Sequence, residues 1–208
     1  MSTERRLYDL AGADPAMRFS PYCWRTRLAL AHKGLEVDTV PWRFTEKDAI
    51  ADYLEDRYPD RPALFGGPAA RALTRFVHDW TLHTLHPLIF RIVVPDLIER
   101  LDPRDRPYFR ESREATLGMP FEALREQRGA HLDAFRRELK PLGACLSQQA
   151  HLCGTDPGYA DYVVFGALQW ARVASPVELL AGRDAVHRWR ERLLDAFGGL
   201  GRRTPAAG

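Results

Sequence analysis

The chain opens strand–helix–strand and then turns to helix alone, and this change of period constrains its fold more than any other feature. Residues 7–10 (Leu-Tyr-Asp-Leu) read as a short strand. Residues 35–41 (Leu-Glu-Val-Asp-Thr-Val-Pro) alternate apolar and polar and stop at a proline, the pattern of a second strand. Between them Trp24, Leu28 and Ala31 recur at i, i+4 and i+7, the stripe of a helix with one buried face. Ser20 suits the N-cap of that helix and Pro21 its first position. Lys33 falls in its last turn, and Gly34 stands where a left-handed residue closes a helix. Parallel strands joined this way cross over right-handed. Two strands are marginal alone, so the opening unit has to lean on the helical half, and the first sixty residues are expected to be the least stable part.

Beyond the second strand the chain reads as helices. Residues 49–58 carry Ile50, Tyr53, Leu54 and Tyr58 on one face and are closed by Pro59 and Pro62. Leu64-Phe65-Gly66-Gly67-Pro68 is a linker, giving two domains, 1–64 and 69–208. A long helix is expected over 69–101, kinked or split by Pro87 and Pro95. Further helices are expected over 108–117, over 120–149 with a bend at Pro141, over the strongly apolar 161–172, and over 184–197. The tail 198–208 is expected to fray.

The totals exclude several functions. A chain of 208 residues that is 45% hydrophobic and 28% charged is an ordinary globular one. A net charge of +2, with acids and bases interleaved, argues against nucleic acid. No signal peptide is expected, and no apolar run reaches membrane-spanning length. Three scattered cysteines suit a reducing cytoplasm better than a disulfide framework.

Several side chains invite a chemical reading. Ser20 places a hydroxyl at the positive end of a helix beside a loop, a position that can hold an anion, although capping alone also explains it. His83 and His86, at i and i+3, could pair on a metal, but no carboxylate or cysteine stands in register, and no metal is expected. Cys23, one turn into the helix, reads as a small packing residue.

The motifs carry a resemblance. Ser20-Pro21-Tyr22-Cys23 resembles the Cys-Pro-Tyr-Cys of glutaredoxins with its first thiol replaced by a hydroxyl, the pattern of serine-type glutathione transferases. Ala49-Ile50-Ala51-Asp52-Tyr53-Leu54 resembles the helix that ends their thioredoxin-like domain, and Pro157-Gly158-Tyr159-Ala160-Asp161-Tyr162 resembles the start of their buried helix. That family often places Ser or Thr at the cap of the buried helix; here Gly158 takes the cap and Asp161 reaches back alone. Asp105-Arg106-Pro107-Tyr108 and Trp189-Arg190-Glu191-Arg192 make the bacterial β-aryl-etherase-like branch the most similar. The resemblance implies an α+β, thioredoxin-like N-terminal domain followed by an all-α domain.

It also implies chemistry. Glutathione would be the co-substrate and a hydrophobic electrophile or aryl ether the acceptor. Ser20 would stabilise the thiolate, Trp42 and Lys47 would contact the glycine end of glutathione, and Trp80, His83, Thr84 and Pro87 would line the acceptor cleft. The protein would be a cytoplasmic homodimer. One departure stands against this. The family places a second helix, two antiparallel strands and a tight turn before the Ala-Ile-Ala helix, with a Val-cisPro and an acidic-Ser pair that holds the γ-glutamyl group. Here only residues 43–48 fill that interval. The thioredoxin-like domain is therefore truncated, and a non-catalytic interaction module or inactive paralogue is the alternative function.

Overall fold

The computed structural model describes residues 6–11, 14, 16–42 and 50–208. Two strands, β1 (Arg6–Leu10) and β2 (Asp38–Trp42), pair in parallel from Arg6 opposite Asp38 to Leu10 opposite Trp42. Helix α1 (Pro21–His32) makes the crossover between them. Val40 and Pro41 lie inside β2, opposite Tyr8 and Asp9. Among the described residues the sheet has two strands, both of them edges, where proline is tolerated.

Helix α1 is the keel of the opening unit. Trp24, Leu28 and Ala29 are fully buried. Gly34, at φ 60°, closes the helix in the left-handed region, as its position in the sequence predicts. Lys33 is buried rather than solvated: its Nζ lies 2.7 Å from Glu55 Oε2 and donates to the Tyr58 carbonyl. Burial alone would raise the Glu55 carboxyl, but the Lys33 ammonium and the Leu64 N–H hold it below the usual range. This ties α1 to α2 (Ile50–Arg57) and to the linker.

The remainder is all-α. Helix α3 (Pro68–Trp80) passes through a π-helical stretch (Thr81–Leu85) into α4 (His86–Leu97) and a 3₁₀ turn (Ile98–Arg100). The expected break at Pro87 is thus a π-helical insertion rather than an interruption. Pro87 has no N–H to donate, and the widened turn ends just before it. Pro95 sits inside the last turn of α4 without splitting it. Helix α5 runs over Arg106–Leu117. The expected helix over 120–149 resolves into α6 (Phe121–Glu126), α7 (Arg128–Glu138) and α8 (Lys140–Leu146).

At the centre is α9 (Tyr159–Ala174), with every residue from Ala160 to Ala171 buried. Helix α10 (Ala185–Gly199) leaves helical geometry at Ala196, Phe197 and Gly198. The tail beyond it does not fray. Gln169 Nε2 donates to the Gly201 carbonyl, Arg172 Nη1 to the Thr204 carbonyl, and the Ala207 N–H to the Arg172 carbonyl. Local composition gave no sign of these long-range partners.

The two halves meet along α1 and α9. A Cβ on Gly166 would fall 2.6 Å from the Pro21 carbonyl oxygen and 3.2 Å from Arg25 Cγ, so this close approach requires glycine. A second tie is His32. Its Nδ1 lies 2.6 Å from the Tyr162 hydroxyl of α9, and its Nε2 lies 2.9 Å from the Ala63 carbonyl.

Candidate functional site

Ser20 caps α1 in extended backbone (φ −68°, ψ 122°), and its Oγ accepts the Cys23 N–H at 3.3 Å. The residue is only 6% exposed. The hydroxyl proton is not used by that bond, so the oxygen can accept from the helix and donate at the same time. The first turn of α1 holds no acidic residue to neutralise its positive end.

Beneath the cap lies a buried polar layer. Cys23 Sγ accepts the Leu10 N–H at 3.5 Å. Burial pushes the Cys23 thiol up against the lowering effect of that bond and of Ser20, so Cys23 stays a thiol. Asp9 is fully buried on β1, with Arg18 Nε at 3.4 Å and Arg27 Nη1 at 3.5 Å. Burial raises its carboxyl pKa, and the two arginines only partly offset this.

Beside the cap, α1 meets the first residue of α4. The Tyr22 ring, 43% exposed, packs edge-on against His86 at 5.8 Å between centroids. The Arg25 guanidinium lies over the Tyr22 ring at 5.0 Å, with Nη2 3.5 Å from His86 Nε2. His86 also contacts Trp170 of α9, and Trp170 stacks on Phe90. Burial, then the Arg25 charge and His78, pushes the His86 pKa down to about 3, so the ring is neutral and its Nε2 can accept from Arg25. Among the described residues no group of three or more His, Cys, Asp or Glu is placed to hold a metal ion.

The predicted residues fall around this cluster. Trp42 ends β2 opposite Leu10, at the strand edge from which the chain leads towards Ser20. Lys47 lies outside the described residues. Trp80 closes α3, and His83 and Thr84 belong to the π-helical stretch; Trp80 and Thr84 are half-buried, His83 and Pro87 exposed. It is His86, between Thr84 and Pro87, whose ring meets α1. Sequence reading passed over Arg25, His86 and Trp170 as a group, because nothing local marks a buried arginine as the neighbour of a histidine sixty-one positions away.

Comparison with known proteins points the same way. A family model described as "Glutathione S-transferase, C-terminal domain" matches residues 72–197. The chain is 25% identical over 163 residues to the glutathione S-transferase-like protein ustS of Aspergillus flavus. That match covers 72% of this chain and 55% of the relative, so the chain spans about half the length of the curated relative. Among solved structures it is similar to the glutathione transferase GSTFuA3 of Phanerochaete chrysosporium: TM-score 0.72, 24% identity, 93% of this chain and 91% of that one. It is also similar to the glutathione S-transferase CsGST83044 of Ceriporiopsis subvermispora, solved in complex with glutathione: TM-score 0.70, 23% identity, 98% and 97%. The architecture is therefore a thioredoxin-like unit reduced to two strands among the described residues, followed by an all-α half. Among the described residues no helix is long and apolar enough to cross a membrane.

Proposed function

The chain belongs to the glutathione S-transferase family, and from that premise we propose that it binds glutathione with the sulfur at Ser20 and attacks a hydrophobic electrophile. One observation carries the reading: a buried Ser20 caps α1 and so sets its hydroxyl at the positive end of the helix. An ordinary thiol has a pKa of about 8.5, so little is ionised at neutral pH. A hydroxyl donor at a helix N-terminus favours the thiolate, and each pKa unit needs about 1.4 kcal/mol, within reach of one charge-assisted hydrogen bond. The thiolate then forms a carbon–sulfur bond as the acceptor's leaving group departs, a halide for an aryl halide or a phenolate for an aryl ether.

In this reading residues 1–64 hold glutathione, with Trp42 and Lys47 at its glycine end, and residues 69–208 hold the acceptor beside Trp80, His83, Thr84 and Pro87. The serine-type assignment rests on the Ser-Pro-Tyr-Cys motif, and the β-aryl-etherase-like one on that motif together with residues 105–113 and 189–192. A homodimer in the cytoplasm fits the exposed Leu73 and Phe76 on α3 and the three free cysteines. The second reading, a non-catalytic interaction module, is favoured by the short interval 43–48.

Retention on glutathione-agarose, followed by turnover with an aryl halide, separates the two. We expect retention, and a loss of at least about tenfold in turnover for Ser20→Ala, matching the removal of one donor to the developing anion. Neither retention nor turnover would sink the enzyme reading. Full turnover in Ser20→Ala would remove Ser20 from its role.

A further inference from the structure

At the C-terminal end of α9 a cavity of about 230 Å³ opens between α9, α10, the loop after α9 and the last residues of the chain. Its α9 residues, Leu168, Ala171 and Arg172, follow Gly166 along the helix, and none of Ser20, Tyr22, Arg25, His86 and Trp170 lines it. It is therefore separate from the Ser20 cluster, and it rests on a different observation from the glutathione reading.

The lining has two characters. Leu168, Ala171, Leu194, Val177 and Leu179 give it an apolar wall. Arg172, Arg190 and Arg202 bring three guanidiniums to it, against Glu178 and Glu191. Both carboxylates are already engaged. Arg190 Nη1 lies 2.7 Å from Glu178 Oε1, and its Nη2 lies 3.2 Å from Glu191 Oε1. Arg202 Nη2 lies 3.0 Å from Glu191 Oε2. Arg202 also bonds Asp195.

Arg172 is different. It donates one N–H to the Thr204 carbonyl at 2.8 Å, and among the described residues no carboxylate lies within ion-pair distance of it. Burial, then the charges of Arg202 and Arg190, lowers its pKa against an opposing pull from Glu191. A half-buried guanidinium on an apolar wall lacks the partner its planar fork fits best.

We propose that this cavity binds a small amphipathic monocarboxylate, its single apolar ring or short chain against Leu168, Val177 and Leu194 and its carboxylate on Arg172. The size is suitable, since an apolar cavity of about 150 Å³ in another protein holds benzene. A cationic ligand would meet the one lining guanidinium without a carboxylate partner among the described residues, and a neutral hydrocarbon would leave Arg172 without an acid.

The test uses the full chain with benzoate and its neutral counterpart benzamide, with saturation-transfer NMR on the ligand protons. Benzoate is expected to bind, and benzamide about tenfold or more weakly, because it offers no charge-assisted acceptor. Arg172→Gln should weaken benzoate by about tenfold for the same reason. Val177→Phe, a half-buried rim position that can be filled without removing a hydrogen bond, should abolish binding while the ligand-free melting temperature holds. Excess glutathione should not compete. The proposal is overturned if benzoate does not bind, if benzoate and benzamide bind alike, if both variants bind as the parent does, or if glutathione displaces the ligand.

Discussion

A single carboxylate organises the entrance to the central helix. Asp161 is fully buried and accepts four N–H groups: Oδ1 from Leu152 at 2.7 Å and Trp189 Nε1 at 2.8 Å, Oδ2 from Cys153 at 3.2 Å and Gly158 at 3.1 Å. Asp161→Asn would keep the shape but present an amide to four donors. We expect it to cost at least about 3 kcal/mol, measured as a lower denaturant midpoint, because bonds to charge are lost and N–H groups are left buried. The missing cap hydroxyl has a local cause. A Cβ on Gly158 would lie 2.6 Å from Cys153 Sγ and 3.1 Å from the Leu64 carbonyl oxygen. Gly158→Ser should therefore destabilise by about 1–3 kcal/mol, as overpacking does. Adding Cys153→Ala should recover part of that loss. If the pair is purely additive, Cys153 is not the obstacle. The lone reach of Asp161 was legible in the sequence, since a carboxylate three residues after a glycine cap has no reciprocal partner. The filling of the cap's place by Cys153 was not, because that contact comes from the turn before the helix.

Among the elements, α1 and the start of α4 form one unit with α9, held by a glycine and a neutral histidine. Gly166→Ala would drive a methyl into the Pro21 carbonyl, so the start of α1 must move. We expect a loss of about 1–3 kcal/mol and a fall in turnover out of proportion to the change in glutathione retention. Equal stability and turnover would show that the approach is loose. His86 makes the unit sensitive to acid. Its pKa, about 3 when folded, lies below the ordinary value of 6.5, so the unfolded chain binds the extra proton. Its contribution is thus complete above pH 6.5 and is lost as pH falls from 6.5 towards 3, at up to about 1.4 kcal/mol per unit. The groups facing it are Arg25 and His78, both of which disfavour a second charge. His86→Gln keeps an acceptor for Arg25 without titrating, so its stability profile should be flatter than the parent's between pH 6.5 and 4. Parallel profiles would show that His86 is not the proton site. Both strands and most helices were legible from period and capping, but the single helix expected over 120–149 is three. The boundaries near Pro87 and Pro95 and the ordered tail were not, because a π-helical insertion and long-range carbonyl partners leave no periodic mark.

For the whole molecule, the sequence predicts weakness in the opening sixty residues, and the structure divides that region. Each strand is five residues long, and the sheet has two strands among the described residues. Such a pair gains little from its own ladder. Helix α1 belongs energetically to the other half. Trp24, Leu28 and Ala29 are buried, Gly166 admits its first turn, and His32 bonds both Tyr162 and the linker carbonyl at Ala63. Local opening free energies follow buried apolar contact rather than chain order. Native-state hydrogen exchange should therefore show the β1 and β2 amides exchanging fastest among the regular elements. The amides of Leu28, Ala29 and Leu30 should exchange as slowly as those of Val163 to Leu168 in α9. If α1 instead exchanges with the strands, the opening unit unfolds as a block, and the Ser20 cap would be lost whenever the sheet opens. If α1 exchanges with α9, the cap persists through sheet opening, and the position proposed for the thiolate is set by the helical half even where the thioredoxin-like half is cut short.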